Sequence, residues 1–223
     1  IRTQYRLLDD IILDDLNINP FMVMLLRLRT PEEVMGYFVR WNIFISIGTS
    51  LGSYFERFLI AGHPNVEKIP QTKGKGGFDA RKTETGRTFE MEFKSGPNDV
   101  NKIQMQKYND KFKAKESQGV KPIMGFLYGN RTLGGVALTH ANNELARPTE
   151  WVKVGKETWE FVSGKQNYHN TVMRWMDDAV DDLDFSNKIL DQVELTVSKL
   201  VKEFEKEFGK GEKGVKKYIS QSM

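Results

Sequence analysis

The spacing of apolar and polar residues changes character along the chain. Through the first 62 residues it is helical, and Thr30-Pro31-Glu32-Glu33 supplies an N-cap, a proline at the first helical position and a capping-box glutamate. One or more helices should therefore run to Ala61-Gly62. From Glu67 the period shortens. Phe78 to Lys82 and Arg87 to Ser95 are strand-like runs, and the turn-rich Thr83-Glu84-Thr85-Gly86 between them predicts a hairpin. Pro97-Asn98-Asp99 reads as a helix start, with Asn98 or Asp99 as cap, and Val100, Ile103, Met105, Tyr108 and Phe112 give that helix an inner face opposite a lysine-rich one. Pro122 to Tyr128 is a nearly continuous apolar run of strand length, as a strand covered on both faces requires. A further strand is expected at Trp151 to Val154. After Lys156 the pattern is helical again, with Ser186 as the cap of a long helix whose Ile189, Val193, Val197, Leu200, Phe204 and Phe208 share one side. That stripe reads as core or as a dimer seam. The lysine-rich Gly209 to Met223 tail reads as partly disordered.

Helices, then a small sheet with a crossover helix, then helices again predict an α/β fold: a mixed sheet of about five strands, helices on both faces, and extra N- and C-terminal helices. At 223 residues the chain suits one domain over 1–223, with N-terminal helices at 1–50, an α/β core at 51–155 and C-terminal helices at 156–223. No apolar run approaches the roughly 18 residues that a membrane span needs, so no membrane partner is expected. Residues 1 to 15 interleave Arg2, Arg6, Asp9, Asp10, Asp14 and Asp15 with apolar positions, unlike a signal peptide, and cytoplasm is the expected location. The absence of cysteine excludes disulfides, thiolate zinc sites and cysteine nucleophiles.

A net charge of +3 is less informative than its distribution. Acid clusters near the start and again at Asp177, Asp178, Asp181, Asp182 and Asp184, whereas lysines and arginines dominate between Lys68 and Lys121. A basic centre between acidic flanks is a candidate surface for nucleic acid, or simply a solvated face. Within it lies the chain's one acidic-x-lysine tripeptide, Glu92-Phe93-Lys94. Strand alternation puts Glu90, Glu92 and Lys94 on one face and Phe89, Met91 and Phe93 on the other. If residues 83 to 86 form the loop, Asp79 lies opposite Glu90 and diagonal to Glu92, and three acids so close repel unless a cation joins them.

Hydrolysis of a phosphodiester needs an activated water, a neutralised transition state and a stabilised leaving oxygen, which two carboxylates, Mg2+ and a lysine provide. Asp79, Glu92 and Lys94 are the candidate catalytic residues. Asp79, Glu92 and the Phe93 carbonyl are the candidate metal ligands, with Glu56, on the helix before the sheet, as a further one. Base-edge or phosphate contacts are expected from Lys73 and Lys75 in the glycine-rich loop before Asp79, from Arg81, from Asn98, Asp99, Asn101, Lys102 and Gln104 after the tripeptide, and from Arg131. His63, His140 and His169 are too scattered to suggest zinc.

Glu56 on its helix, Asp79, Glu92-Phe93-Lys94 and the polar Ser95 to Lys102 stretch together resemble a type IIP restriction endonuclease of the PD-(D/E)xK superfamily. Asn17-Ile18-Asn19-Pro20-Phe21-Met22, Gly125-Phe126-Leu127-Tyr128-Gly129-Asn130 and Gly155-Lys156-Glu157-Thr158-Trp159 resemble segments of enzymes that cut GG-N-CC-type sites. The resemblance implies a bacterial restriction-endonuclease-like core and a homodimer on palindromic double-stranded DNA, GGWCC for example. Each subunit would cut one strand with Mg2+ and leave a 5′-phosphate. Phe78 stands where the motif has its leading proline, which leaves the carboxylate in place. A repair or recombination nuclease of the same fold, or a DNA-binding protein without activity, are the alternatives that the residues leave open.

Overall fold

A computed structural model describes residues 8–70, 77–96, 98–132, 134–183 and 185–223, without the side chains of 179–187. Lys73 and Lys75 lie outside the described residues. The chain forms two compact units, one of Ile1–Gly48 with Asp177–Met223 and one of Thr49–Met176.

The first unit is helical. After a 3-10 turn at Leu13–Leu16 come α1 (Pro20–Leu25) and the first part of α2 (Pro31–Ala61), and the unit closes with α8 (Phe185–Phe208) and α9 (Gly211–Ser222). The α2 capping box forms as the sequence predicts: Glu33 N–H donates to Thr30 Oγ1 at 3.3 Å, and Thr30 N–H to Glu33 Oε2 at 3.2 Å. The apolar stripe of α8 is core within this unit. Ile189, Val193, Val197, Leu200 and Phe204 pack with Val34, Met35, Phe38, Val39 and Ile43 of α2, and Phe208 is partly buried against the same cluster. α8 begins at Phe185, ahead of Ser186, whose side chain is not described. The tail expected to be partly disordered is α9 instead. Val215, Tyr218 and Ile219 give it an apolar edge against this core, and Tyr218 OH donates to the Ile18 carbonyl at 2.5 Å.

The second unit carries a five-stranded sheet in the order β1 (Val66–Lys68), β2 (Ala80–Glu84), β3 (Arg87–Lys94), β4 (Lys121–Phe126), β5 (Val152–Val154). The first three strands pair antiparallel and the last three parallel, the mixed α/β sheet that the sequence predicts. The hairpin is tighter than expected. Glu84 pairs with Arg87, so the loop is Thr85-Gly86 alone, with φ of 48° and 73°. Two residues at positive φ match the twist of the flanking strands, and glycine takes that conformation without strain. The register consequently moves by two residues from the expected one, and Arg81, not Asp79, stands opposite Glu90.

α3 (Lys102–Glu116) crosses from β3 to β4. Its cap is Asn101 rather than Asn98 or Asp99: Gln104 N–H donates to Asn101 Oδ1 at 2.9 Å, and Asn101 N–H to Gln104 Oε1 at 3.0 Å. With that start, Met105 and Phe112 turn inward, whereas Ile103 is 66% exposed and leaves the expected inner face. The remaining helices are α4 (Val136–Glu144), α5 (Pro148–Trp151), α6 (Lys156–Ser163) and α7 (Tyr168–Leu183).

Both faces of the sheet are covered. On one, Met124, Phe126, Val152 and Val154 pack with Met105 and Phe112 of α3, Ala137 and Leu138 of α4, and Trp151. On the other, Met91, Phe93 and Ile123 pack with Leu59 and Ile60 of α2, Trp159 and Val162 of α6, and Tyr168 and Val172 of α7. Tight seating of α6 depends on Gly155, at φ 52°, where a Cβ would lie 2.4 Å from the Gly129 carbonyl oxygen. No helix among the described residues is long and apolar enough to cross a membrane.

Phe112 is fully buried, and its ring meets those of Phe78, Tyr108 and Trp151. Phe112→Ala should cost about 3–5 kcal/mol, read as a lower urea midpoint by circular dichroism. A loss under about 1 kcal/mol would show that this ring cluster does not hold α3 to the sheet.

Candidate active site

The short hairpin loop brings the C-terminal end of β3 level with the start of β2. Asp79 N–H donates to the Met91 carbonyl at 2.8 Å, and Phe93 N–H donates to Asp79 Oδ2 at 2.7 Å. Within a strand the N–H and C=O of one residue point the same way, so the Phe93 carbonyl is directed to the Asp79 side of β3. Glu92 and Lys94 project together from the opposite side of the sheet to Phe93, as alternation predicts.

Glu92 is only 6% exposed and fully engaged. Its Oε1 accepts from Lys94 Nζ at 2.7 Å and from Tyr108 OH at 2.7 Å, and its Oε2 accepts from Lys111 Nζ at 3.1 Å. Lys111 Nζ also donates to the Gly77 carbonyl at 2.8 Å and lies 4.1 Å from the centre of the Phe78 ring. Glu90, expected to crowd Asp79, is drawn away by Arg81 at 2.9 Å and Lys115 at 2.8 Å. Tyr108, Lys111 and Lys115 did not figure among the sequence candidates. Their signal was a 3–4 spacing on α3 beside the buried Met105 and Phe112, meaningful only once that helix is laid over the acidic face of β3.

Burial is the main cause that raises the Asp79 carboxyl from 3.8 to about 6; the Glu92 charge adds to it, the Phe93 N–H opposes it and the Glu56 charge raises it further. Burial would raise Glu92 too, but Lys94, Tyr108 and Lys111 reverse that and hold it below the usual carboxylate range. Burial alone would lower Lys94, yet Glu92 raises it, so Lys94 stays an ammonium. The same surroundings, burial first and then the Glu92 charge, push the Tyr108 phenol up to about 12.

Glu56 reaches the site from α2. One turn before it, Gly52 passes so close to the strand end that a Cβ there would lie 2.2 Å from Ser95 Oγ, and Glu56 is near enough to Asp79 for its charge to be felt. The other candidates among the described residues have partners within the protein. Asn98 Oδ1 accepts from Val136 N–H at 3.1 Å, Asp99 Oδ2 accepts from Gly96 N–H at 2.7 Å, and Asn101 and Gln104 form the α3 cap. Lys102 pairs with Glu144 at 3.6 Å. Arg131 grips both oxygens of Glu157 and the Val152 carbonyl, and Arg81 joins Glu67 at 3.2 Å as well as Glu90.

Among the described residues no three His, Cys, Asp or Glu side chains are gathered as a ready-made metal cluster. What the site offers is two carboxylates and a carbonyl, hard oxygen donors of the kind Mg2+ takes while keeping several waters. An Asp79 carboxyl pushed up by burial and by Glu92 is one that a divalent cation would stabilise in its charged form.

Residues 7–184 match the family described as type II restriction endonuclease EcoO109I, a span that includes every candidate site residue. The chain belongs to this family. It is thus a type II restriction endonuclease by family, a nuclease acting on DNA. No curated protein matches the chain.

The Asp79 shift has a consequence for stability. A carboxyl whose folded pKa is raised favours the native state while protonated and penalises it once charged, and the penalty grows from about pH 4 to about 6 and persists above. The shift corresponds to on the order of 3 kcal/mol. In metal-free buffer Asp79→Asn, which keeps an acceptor for Phe93 N–H, should melt at a higher temperature than wild type at pH 7.5, with the gap closing towards pH 4.5. An equal or lower melting temperature at pH 7.5 would show that burial does not penalise the charged form of Asp79.

Proposed function

We propose that this restriction endonuclease is a Mg2+-dependent PD-(D/E)xK enzyme acting as a homodimer, in the bacterial cytoplasm, on a short palindromic site of GGWCC type. The observation that carries the reading is the meeting of Asp79, Glu92, Lys94 and the Phe93 carbonyl at one end of the β2–β3 hairpin. In the reaction a water oxygen attacks phosphorus, the bond to the 3′ oxygen breaks, and a 5′-phosphate and a 3′-hydroxyl remain. Asp79, Glu92 and the Phe93 carbonyl would hold the metal, with Glu56 as a further carboxylate behind Asp79. Mg2+ when bound supplies charge neutralisation at the phosphate and a more acidic water.

Lys94 is kept as an ammonium beside Glu92, which favours a part in offsetting phosphate charge over one as proton acceptor. Tyr108 and Lys111 fix the Glu92 carboxylate from the α3 side. A two-fold dimer suits a two-fold DNA site, each protomer cutting one strand. DNA contacts are assigned to Lys73 and Lys75, to Arg81, to the segment from Asn98 to Gln104 and to Arg131, several of which would exchange protein partners for base edges or phosphates.

Incubation of a plasmid of known sequence with Mg2+ should give discrete fragments whose ends define the site; a smear, or no cleavage, would overturn the restriction reading. Glu92→Gln and Asp79→Asn should lose cleavage by at least about a hundredfold while site-specific binding in Ca2+ persists. Lys94→Ala should be comparably impaired, and a rate within a few-fold of wild type would remove that residue from the mechanism.

A further inference from the structure

Between α3 and the segment entering β2 a recess opens, lined by Gly77, Glu92, Gln104, Lys107, Tyr108 and Lys111. Its charge is not what one buried glutamate suggests. Glu92 already carries Lys94 and Lys111, so a group entering the recess meets ammonium rather than bare carboxylate. An ammonium has three protons, and those of Lys111 that go to Glu92 and Gly77 leave a third. Gln104 uses its carbonyl oxygen in the α3 cap, which leaves its amide N–H groups for another partner. Lys107 is exposed and, among the described residues, has no carboxylate partner, whereas Lys102, Lys111 and Lys115 on the same helix all have one. The lining therefore offers donors and positive charge immediately beside the proposed metal ligands.

We propose that this recess seats a backbone phosphate of the bound DNA next to the reacting one, with Lys107 as its principal cation and Gln104 and Lys111 as further donors. The proposal rests on the nuclease reading above and adds to it a phosphate-binding residue, Lys107. A lysine that neutralises one phosphate releases about one counterion, so its loss lowers affinity for all sequences and flattens the salt dependence by about one unit of slope.

The test uses the full-length protein in Ca2+ buffer and a short duplex carrying the site found in the plasmid digest, with affinity measured by fluorescence anisotropy over a range of salt. Lys107→Ala should bind about three- to tenfold more weakly with the slope reduced by about one, and Lys107→Arg should bind within about twofold of wild type. Lys113→Ala, the same charge change on α3 outside the recess lining, should leave affinity unaltered. Replacing single phosphates near the cut by neutral methylphosphonates should reveal one position that weakens wild type but not Lys107→Ala. Wild-type affinity and slope in Lys107→Ala, an equal loss in Lys113→Ala, or the absence of any such position would overturn the proposal. Failure of the wild-type protein to cut DNA with Mg2+ would instead overturn the nuclease reading on which it rests.

Discussion

The charge balance around Glu92 is the constraint on which the sheet-bearing unit is organised. A carboxylate withdrawn from water must be paired and hydrogen-bonded or it titrates, and here the pairing comes from two elements: Lys94 two residues on in β3, and Tyr108 with Lys111 on α3. Charge-assisted contacts of this kind are each worth about 1.5–3 kcal/mol. They do more than stabilise one side chain. Lys111 spans from Glu92 to the Gly77 carbonyl, so the helix, the central strand and the approach to Asp79 are held by one ammonium. Asp79 accepts from the Phe93 N–H, and burial, with the charges of Glu92 and Glu56 added to it, raises its carboxyl against the opposing pull of that N–H and of Lys94. The two acids are thereby pushed in opposite directions, Glu92 down by its ammonium and phenol partners and Asp79 up by burial and by the neighbouring acids.

The apolar pattern was enough to read most of the fold. Thr30 to Glu33 marked the start of α2, the run from Pro122 marked a strand covered on both faces, and the α8 stripe marked a buried helix face. Misreadings fell where the local signal was ambiguous. Asn98, Asp99 and Asn101 are all good caps, and only the reciprocal bond with Gln104 selects the last. The lysine-rich tail reads as solvated because three apolar residues among many lysines are a weak stripe, yet at the right spacing they suffice once α8 and Ile18 offer a surface.

The grouping of side chains at the candidate site was legible in part. Glu92-Phe93-Lys94 and Asp79 announce themselves by residue type and order, because each belongs to one hairpin. Tyr108, Lys111 and Lys115 do not, because a lysine on a helix is the commonest of surface residues and gains meaning only from the acid it covers. The polar residues after β3 have structural partners that the sequence did not suggest. Asn98, Asp99 and Gln104 look available for DNA, and the fold uses them to tie down backbone N–H groups. The same side-chain chemistry serves both purposes, and sequence does not separate them.

Register decides which of two similar acids lies level with Asp79. Glu90 and Glu92 lie on the same strand, face the same helix and are almost equally buried. A four-residue loop would have set Asp79 against Glu90 and left Glu92 on the diagonal. The two-residue loop moves the pairing by two positions, which keeps every side chain on its own face but changes its neighbours. Glu90 then meets Arg81 and Lys115 and becomes an ion-pair anchor between sheet and helix. Glu92 comes level with Asp79 at the strand end, beside the Phe93 carbonyl and Lys94. The positive φ of Thr85 and Gly86, at the far end of the hairpin, is therefore what sets Glu92 rather than Glu90 level with Asp79.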